Sequence, residues 1–327
     1  MSPTTANANP GRASPATDPP GALCVDAAEG TLRLDTFLRR HLVAVSRREI
    51  QLAVARGLVR VNGRRSTKGR RVRPGDRIEA SALLAPPAAP PGELEIPLLH
   101  EDTLLLALAK PAGMPSTARR IGGRPSVASY LLHRMPELAT VAPSPLDAGL
   151  VHRLDTETSG VLLVARTPEA WAALREQFRL RTVAKEYVAV VRGRLRGART
   201  LTDHLGHDPR RPGSMRIVGH GTARRRWHAV STIVPVASTR NATRLRIRLV
   251  TGVTHQLRVQ LAAIGHPILG DGRYDGAAPI PAPCSRPLLH ASRLRVRHPG
   301  SGAALEIDAP LPPDFAAALE RLGFARR

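Results

Sequence analysis

Two cysteines in 327 residues, Cys24 and Cys284, lie far apart and form no CxxC pair. A disulfide framework is thereby excluded, and a reducing, cytoplasmic location is the expectation. No apolar run approaches the ~18–20 residues of a membrane span, so no membrane association is expected. The first 20 residues, MSPTTANANPGRASPATDPP, lack a basic start and an apolar stretch, and a secretory signal is not expected there. Aromatic residues make up only 3% of the chain, so Leu, Val, Ile and Ala must fill the core. Acidic residues are scarce too, 26 against 49 basic ones, and only three of the basic residues are lysine (Lys68, Lys110, Lys185). The resulting net charge of +23 favours a polyanionic partner, nucleic acid first and an anionic membrane second. An Arg-, Ala- and Pro-heavy composition can also follow from a GC-rich genome, so the distribution of the charge has to decide.

That distribution is uneven. Between Arg33 and Arg77 there are 14 basic residues and three acids (Asp35, Glu49, Asp76), a net +11. Residues 1–28, rich in Pro, Ser, Thr and Ala, read as a disordered tail. From there the pattern changes: Leu34, Phe37, Leu38 and Leu42 share one helix face. Ser46 and Glu49 are spaced as a capping box for a second helix that Gly57 ends, and an Asn62-Gly63 turn and a Pro74-Gly75-Asp76 turn punctuate short strands. Residues 29–84 thus form a small domain. The pieces LRLDTFLRRHL, SRREIQLAVARGLVRVNG and VRPGDRI resemble the αL RNA-binding domain named after ribosomal protein S-four. The resemblance implies that Arg47, Arg48, Asn62, Gly63 and Arg64 face RNA phosphates, against the bland alternative of a solvated basic face.

Residues 85–94 are a Pro-rich linker, and residues 95–327 form a second domain. Short β-like runs there (104–109, 161–165, 183–191, 229–236, 244–249) outnumber helical patterns, which cover 168–179, with Thr167 as N-cap, and 255–264. Strands that follow one another directly predict an α+β fold with a mixed, mainly antiparallel sheet and a central cleft.

The stretch GLVHRLDTETSG, residues 149–160, sets one carboxylate, Asp155, beside His152 and Arg153 at the start of the buried run VLLVA. Burial alone would raise the pKa of such an Asp, whereas a neighbouring arginine holds it charged, fit to act as nucleophile or electrostatic stabiliser. On spacing alone an ordinary turn or helix cap is the better account of the pattern. The wider sequence decides. HRLDTETSG, AKPAG (109–113), KEYVAVVRG (185–193), THQLRVQLAAIGHPILGDGRY (254–274), LLHASRLRVRHPGSG (288–302) and APLPPDF (309–315) resemble, in order, the motifs of the RluA-type RNA pseudouridine synthases.

The resemblance implies an isomerase that cleaves N1–C1′ of a uridine, turns the uracil and joins C5 to C1′, most readily on large-subunit ribosomal RNA, with transfer RNA as the other choice. It implies Asp155 as the catalytic carboxylate, acting on C1′ or on the base. Tyr187 would lie against uracil and ribose as stacking partner or proton shuttle, Arg258 would pair with Asp155 and keep it ionised, and Arg153 would help hold the flipped nucleotide or the displaced stack. Nothing is added or lost in that reaction, so no cofactor and no metal is expected; a monomer is the default. Val253 and Gln260 depart from the family's usual residues and bear on substrate fit. Competing readings are weaker. His152, Asp155 and Ser159 lie too close in one turn for a hydrolase relay. His204 and His207 lack a third ligand for a metal. Trp171 and Trp227 read as core, and Arg224, Arg225 and Arg226 read equally well as an exposed turn or an RNA contact. The rival from another class is a non-catalytic RNA-binding or ribosome-assembly protein retaining the fold, which would have no chemical reason to keep Asp155, Tyr187 and Arg258 together.

Overall fold

The computed structural model describes residues 22–42, 45, 47–67, 69–80, 95–117, 125–219, 225–276 and 285–325, with the side chains of residues 47–49 and 145 left out. The Ser46–Glu49 capping box, the side chains of Arg47 and Arg48, Arg224, and the Pro-rich linker fall outside the described residues or side chains. The chain divides into two compact units, residues 1–85 and 86–327.

The first unit holds β1 (Ala22–Cys24), β2 (Leu32–Arg33), α1 (Leu34–His41), α2 (Arg47–Ala55), β3 (Arg60–Val61), β4 (Arg64–Arg65), β5 (Arg71–Val72) and β6 (Arg77–Glu79). Leu34, Phe37 and Leu38 bury the inner face of α1, and Arg39, Arg40 and His41 place positive charge at its C-terminus, where the helix dipole favours it. Gly57 (φ 68°) closes α2: its N–H donates to Val54 and that of Leu58 to Ala53, the paired bonds of a Schellman cap. Asn62 (φ 53°) and Gly63 (φ 75°) form the two-residue turn between β3 and β4. The disordered tail expected over residues 1–28 is corrected at its end. Residues 22–24 form β1, paired antiparallel with β6, Val25 is buried, and Asp26 and Glu29 cap a short helical turn. Two apolar residues were too few to signal a strand locally; the edge offered by β6 supplies its partner.

The second unit continues with β7 (Leu98–Glu101), β8 (Leu105–Lys110), α3 (Val127–Arg134), β9 (Ser159–Ala165), α4 (Pro168–Leu180), β10 (Ala184–Arg192), β11 (Arg199–His207), β12 (Met215–Ile217), β13 (Trp227–Ser238), β14 (Ala242–Leu249), α5 (Gln256–Ala263), β15 (Leu289–Arg297), β16 (Ala304–Asp308) and α6 (Pro313–Arg321). Its sheet runs β12-β11-β13-β14-β10-β15-β9-β8-β7, with β16 added alongside β15. All described pairs are antiparallel except β9 with β15. The expected mainly antiparallel α+β sheet is what forms. Every residue of β9 is buried, as its continuous apolar run requires of a central strand. The core is mostly aliphatic, built on Leu105, Leu106, Leu162, Leu163, Val164 and Leu174 among others. Thr167 caps α4 through a bond from Ala170 N–H to its Oγ1 (3.2 Å), with Pro168 in the first turn.

The cleft sits where the sheet divides. β15 pairs with β9 only at His290 and Ala291, then with β16 from Arg293 to Arg297. At that seam Gly160 has φ 121°, and a Cβ there would lie 2.1 Å from the Ala291 carbonyl oxygen and 2.6 Å from its nitrogen. The glycine of the TSG triplet therefore permits two strands to touch. Replacing Gly160 with alanine adds a forbidden φ and a backbone clash, and is expected to cost about 3 kcal/mol or more, or to prevent folding. Urea unfolding of the purified variant measures this; a midpoint equal to that of the unmodified chain refutes the account of the seam.

Candidate active site

Asp155 lies in the loop between Val151 and β9, outside any regular element, so its backbone carbonyls must find partners elsewhere. They all do. Ser116 Oγ donates to Leu154 O at 2.9 Å and accepts from Leu154 N–H at 3.0 Å. Thr158 N–H closes a turn on Asp155 O at 3.1 Å. Lys110 Nζ donates to Thr156 O (3.1 Å), Thr158 O (2.8 Å) and its own neighbour Pro111 O (2.7 Å). Arg286 Nη1 reaches Glu157 O at 3.4 Å, while the rest of its guanidinium grips Asp314. An ammonium has three N–H donors, and at Lys110 each meets a carbonyl; a planar guanidinium could not make that set. Burial pulls the Lys110 ammonium down to about 7, with the charges of Glu157 and Asp155 acting the other way.

With the loop backbone satisfied, the Asp155 carboxylate projects into a cleft of about 580 Å³, lined among others by Arg153, Lys185, Tyr187, Trp227, His255 and Arg258. Its charge partner is distant in sequence. Arg258 on α5 places Nη1 3.9 Å from Asp155 Oδ2, the two side chains being 8% and 22% exposed. This is an ion pair without a hydrogen bond, because the guanidinium fork is occupied: Nε and Nη2 each bond Asp271 at 2.7 Å. Asp271, fully buried, also accepts from the N–H groups of Arg273 and Tyr274. Burial works against the Arg258 charge, but the bonds to Asp271 and the charges of Asp271 and Asp155 raise its pKa on balance. The Tyr274 ring lies 5.1 Å beneath the guanidinium. Tyr274 Oη accepts from Met215 N–H at 2.8 Å and shares a hydrogen bond with His255 Nδ1, also at 2.8 Å.

The structure thus brings Asp155, Arg258 and Tyr187 to one cleft. Tyr187 is 8% exposed, and burial first, then the Asp155 charge, push its phenol above its usual range, so it stays a neutral phenol. Arg153 is exposed on the rim. His152 also lines the cleft, but its Nε2 is taken, accepting from Leu163 N–H at 2.9 Å, and its ring stacks on Phe178 at 4.8 Å. Asp155 is therefore served by an arginine 103 positions on, and its immediate neighbour Arg153 makes no ion pair with it among the described residues. In the first unit, Arg64 is exposed, while the Asn62 side chain is spent inside the fold, donating to Asp76 Oδ1 and accepting from Arg77 N–H, both at 2.7 Å. Of the departures, Gln260 is buried and bonds Ser231, Asp203 and Ala229, so it is structural, and Val253 packs beside Trp227 and lines the cleft. Trp227, partly buried, packs against the cluster of Leu205, Met215, Ala229 and Val259 and also lines the cleft. Trp171, partly buried against the core, donates to Leu150 O at 3.1 Å. No group of three or more potential metal ligands occurs among the described residues.

Sequence reasoning passed over Lys110, Asp271 and His255. Lys110 had a signal: one of three lysines in an arginine-rich chain marks a place where the compact ammonium is needed. Asp271 could be found only by asking what a carboxylate in an Ile-Leu-Gly-Asp-Gly run could face.

Known proteins resemble this chain over most of its length. The family described as RNA pseudouridylate synthase matches residues 104–263, and the S4 domain matches residues 32–78. An RNA pseudouridine synthase of Chlorobaculum parvum is 32% identical over 92% of this chain and 97% of its own length. Ribosomal large subunit pseudouridine synthase D of Nitrosomonas europaea is 34% identical over 89% of this chain and 84% of its own. Among solved structures, human RNA pseudouridylate synthase domain containing 4 superposes with a TM-score of 0.54 at 26% identity, covering 69% of this chain and 92% of that one.

His152 sets a pH dependence of stability. Burial first, then the charges of Lys185 and Arg175, lower its pKa from 6.5 to about 3. Between those values the unfolded chain binds the additional proton, so stability falls as pH drops through this window, by up to ~1.4 kcal/mol per pH unit from this group. His152→Gln retains an acceptor for Leu163 and should flatten that segment of a urea-stability profile against pH. An unchanged slope contradicts the assignment.

Proposed function

Because the chain belongs to the RNA pseudouridine synthase family, and is an isomerase that converts uridine to pseudouridine in RNA, we propose that its substrate is large-subunit ribosomal RNA and that Asp155 is the catalytic carboxylate. The observation that carries the site assignment is the Asp155–Arg258 ion pair at 3.9 Å, facing the same cleft as the buried Tyr187. The naming of several relatives as ribosomal large subunit pseudouridine synthase D supports the RNA target.

In this reading a uridine leaves its stack and enters the cleft, at an unstacking cost of a few kcal/mol. The Asp155 carboxylate acts on ribose C1′ or on the base as N1–C1′ breaks; the uracil turns in place, C5 joins C1′, and the C5 proton is released as N1 gains one. Arg258, locked by Asp271, supplies a fixed positive charge beside the carboxylate throughout, needing no reorganisation at the moment of reaction. Tyr187, protonated, packs against base and ribose and offers its hydroxyl to the turning uracil. Arg153 on the rim holds the displaced strand. The basic first unit, with Arg64 and the Gly63 turn exposed, binds RNA phosphates outside the site, and Arg47 and Arg48 are assigned the same role. Such an enzyme works where bacterial ribosomes assemble, in the cytoplasm, and acts as a monomer.

Chemical mapping of pseudouridine in total RNA tests the assignment, using cells carrying the unmodified chain, the Asp155→Ala variant, or neither. One or a few sites in large-subunit ribosomal RNA should be present with the first and absent from the other two. Sites confined to transfer RNA overturn the substrate; sites that persist with a folded Asp155→Ala chain overturn the catalytic residue.

A further inference from the structure

Tyr187 has a neighbour on the same face of its strand that the reaction above does not use. Lys185 precedes it by two residues on β10, one strand repeat of ~6.6 Å away, and both line the cleft. Lys185 is partly buried and fixed, its Nζ donating to Thr251 O at 3.1 Å. Arg181, at the C-cap of α4, lines the cleft beside it.

The backbone at Arg181 is unusual for the residue it carries. With φ 59° and ψ 28° it is left-handed, the conformation that helix ends ordinarily give to glycine. Among the described residues only four that are not glycine have positive φ: Asn62, Ala148, Arg181 and His255. Two of these, Arg181 and His255, line the cleft. Non-glycine residues held in this region concentrate where a side chain has work to do. Replacing the default glycine with arginine places a guanidinium at the cleft wall at some conformational cost.

Neither cation has an acidic partner. Nearby, Arg179 pairs with Glu176 and Arg175 donates to Val151 O, but Arg181 and Lys185 form no ion pair among the described residues. Burial, and then the Arg181 charge, draw the Lys185 ammonium down to about 8, so the two positive charges sense one another. Two cations held together without a carboxylate are stabilised by an anion that arrives from outside. Uracil and ribose are neutral; the anionic part of a nucleotide is its phosphate.

We propose that Arg181 and Lys185 form a phosphodiester subsite, which takes the RNA phosphate adjacent to the target uridine. This rests on the reading that a uridine enters the cleft at Asp155. Lys185 acts as a point charge on a non-bridging oxygen, and the Arg181 fork takes a second. Base and ribose then lie against Tyr187 one strand repeat away, which fixes the C1′ atom relative to Asp155. The subsite recognises backbone and carries no base preference.

The test is the rate of pseudouridine formation by the full chain on total RNA extracted from cells that lack it, at several RNA and salt concentrations. The chains compared are the unmodified one, Arg181→Gly, Lys185→Met and, as a control on the outer face of β14, the exposed Arg246→Gln. Glycine suits the left-handed backbone, so Arg181→Gly should melt at or above the unmodified temperature, and lost binding will not reflect lost fold. Each subsite variant should raise apparent KM about three- to tenfold at low salt and flatten its log–log salt dependence by about 0.7–0.9, the share of one phosphate contact, with kcat within about twofold. Arg246→Gln should match the unmodified chain. An unchanged KM and salt slope in Arg181→Gly and Lys185→Met, with the unmodified chain active, overturns the subsite alone. Absence of any pseudouridine with the unmodified chain overturns the reading of the cleft, and the subsite with it.

Discussion

A single buried ammonium carries much of the architecture. Lys110 lies at the end of β8, and two of its three bonds tie the loop of residues 152–158 to the sheet beneath. A loop that belongs to no helix or strand has no internal means of satisfying its carbonyls, and leaving them unmade in a partly dry cleft would cost about 1–3 kcal/mol each. Lys110, Ser116 and Arg286 provide the missing donors. What this leaves free is one carboxylate. The geometry of Asp155 is thus set from behind, by groups that never face the cleft, while its electrostatics are set from in front by Arg258.

Arg258 follows the same logic. A buried guanidinium without a full set of acceptors would be costly, and a guanidinium that spent its fork on Asp155 would bind that carboxylate too tightly for it to meet a substrate. Asp271 resolves both demands, holding two of the nitrogens at 2.7 Å and leaving Nη1 to face Asp155 at 3.9 Å. The ring of Tyr274 and its bond to His255 complete the support. Charge reaches the site through a chain of fixed partners, which is the arrangement expected where a charged group must not reorganise during reaction.

Much of this architecture is visible in the sequence, for identifiable reasons. The helices announce themselves through local signals: Thr167 before Pro168, the spacing of Leu34, Phe37 and Leu38, Gly57 after Ala55. The central strand β9 shows as an apolar run and the hairpin as Asn62-Gly63. Asp155, Tyr187 and Arg258 emerge from motif resemblance. What local pattern does not show is pairing at a distance. β1 exists because β6 offers an edge more than fifty residues on; Asp271 is essential because Arg258 turns toward it. Trp227, read as core on residue type, packs against a buried cluster and also borders the cleft, because β13 begins there. Composition held a clue that spacing did not: in a chain that uses arginine almost everywhere, the lysines at 110 and 185 stand under and inside the cleft.

The narrow seam between β9 and β15 bears on how the site comes into being during folding. Asp155 and Lys110 belong to the part of the sheet made by β7, β8 and β9, whereas Tyr187 and Arg258 belong to the part that follows. The two parts are joined through two parallel residue pairs, His290 with Ser159 and Ala291 with Gly160, across 131 positions. Closing so long a loop is slow, because its entropy is lost before the contacts that compensate it are made. Hairpins on either side can form early, one carrying Asp155 and the other Arg258 with its partner Asp271. The ion pair at the heart of the cleft is consequently a late event, assembled only when the seam closes, so that a partly folded chain presents its positive surface to RNA before it possesses the means to alter it.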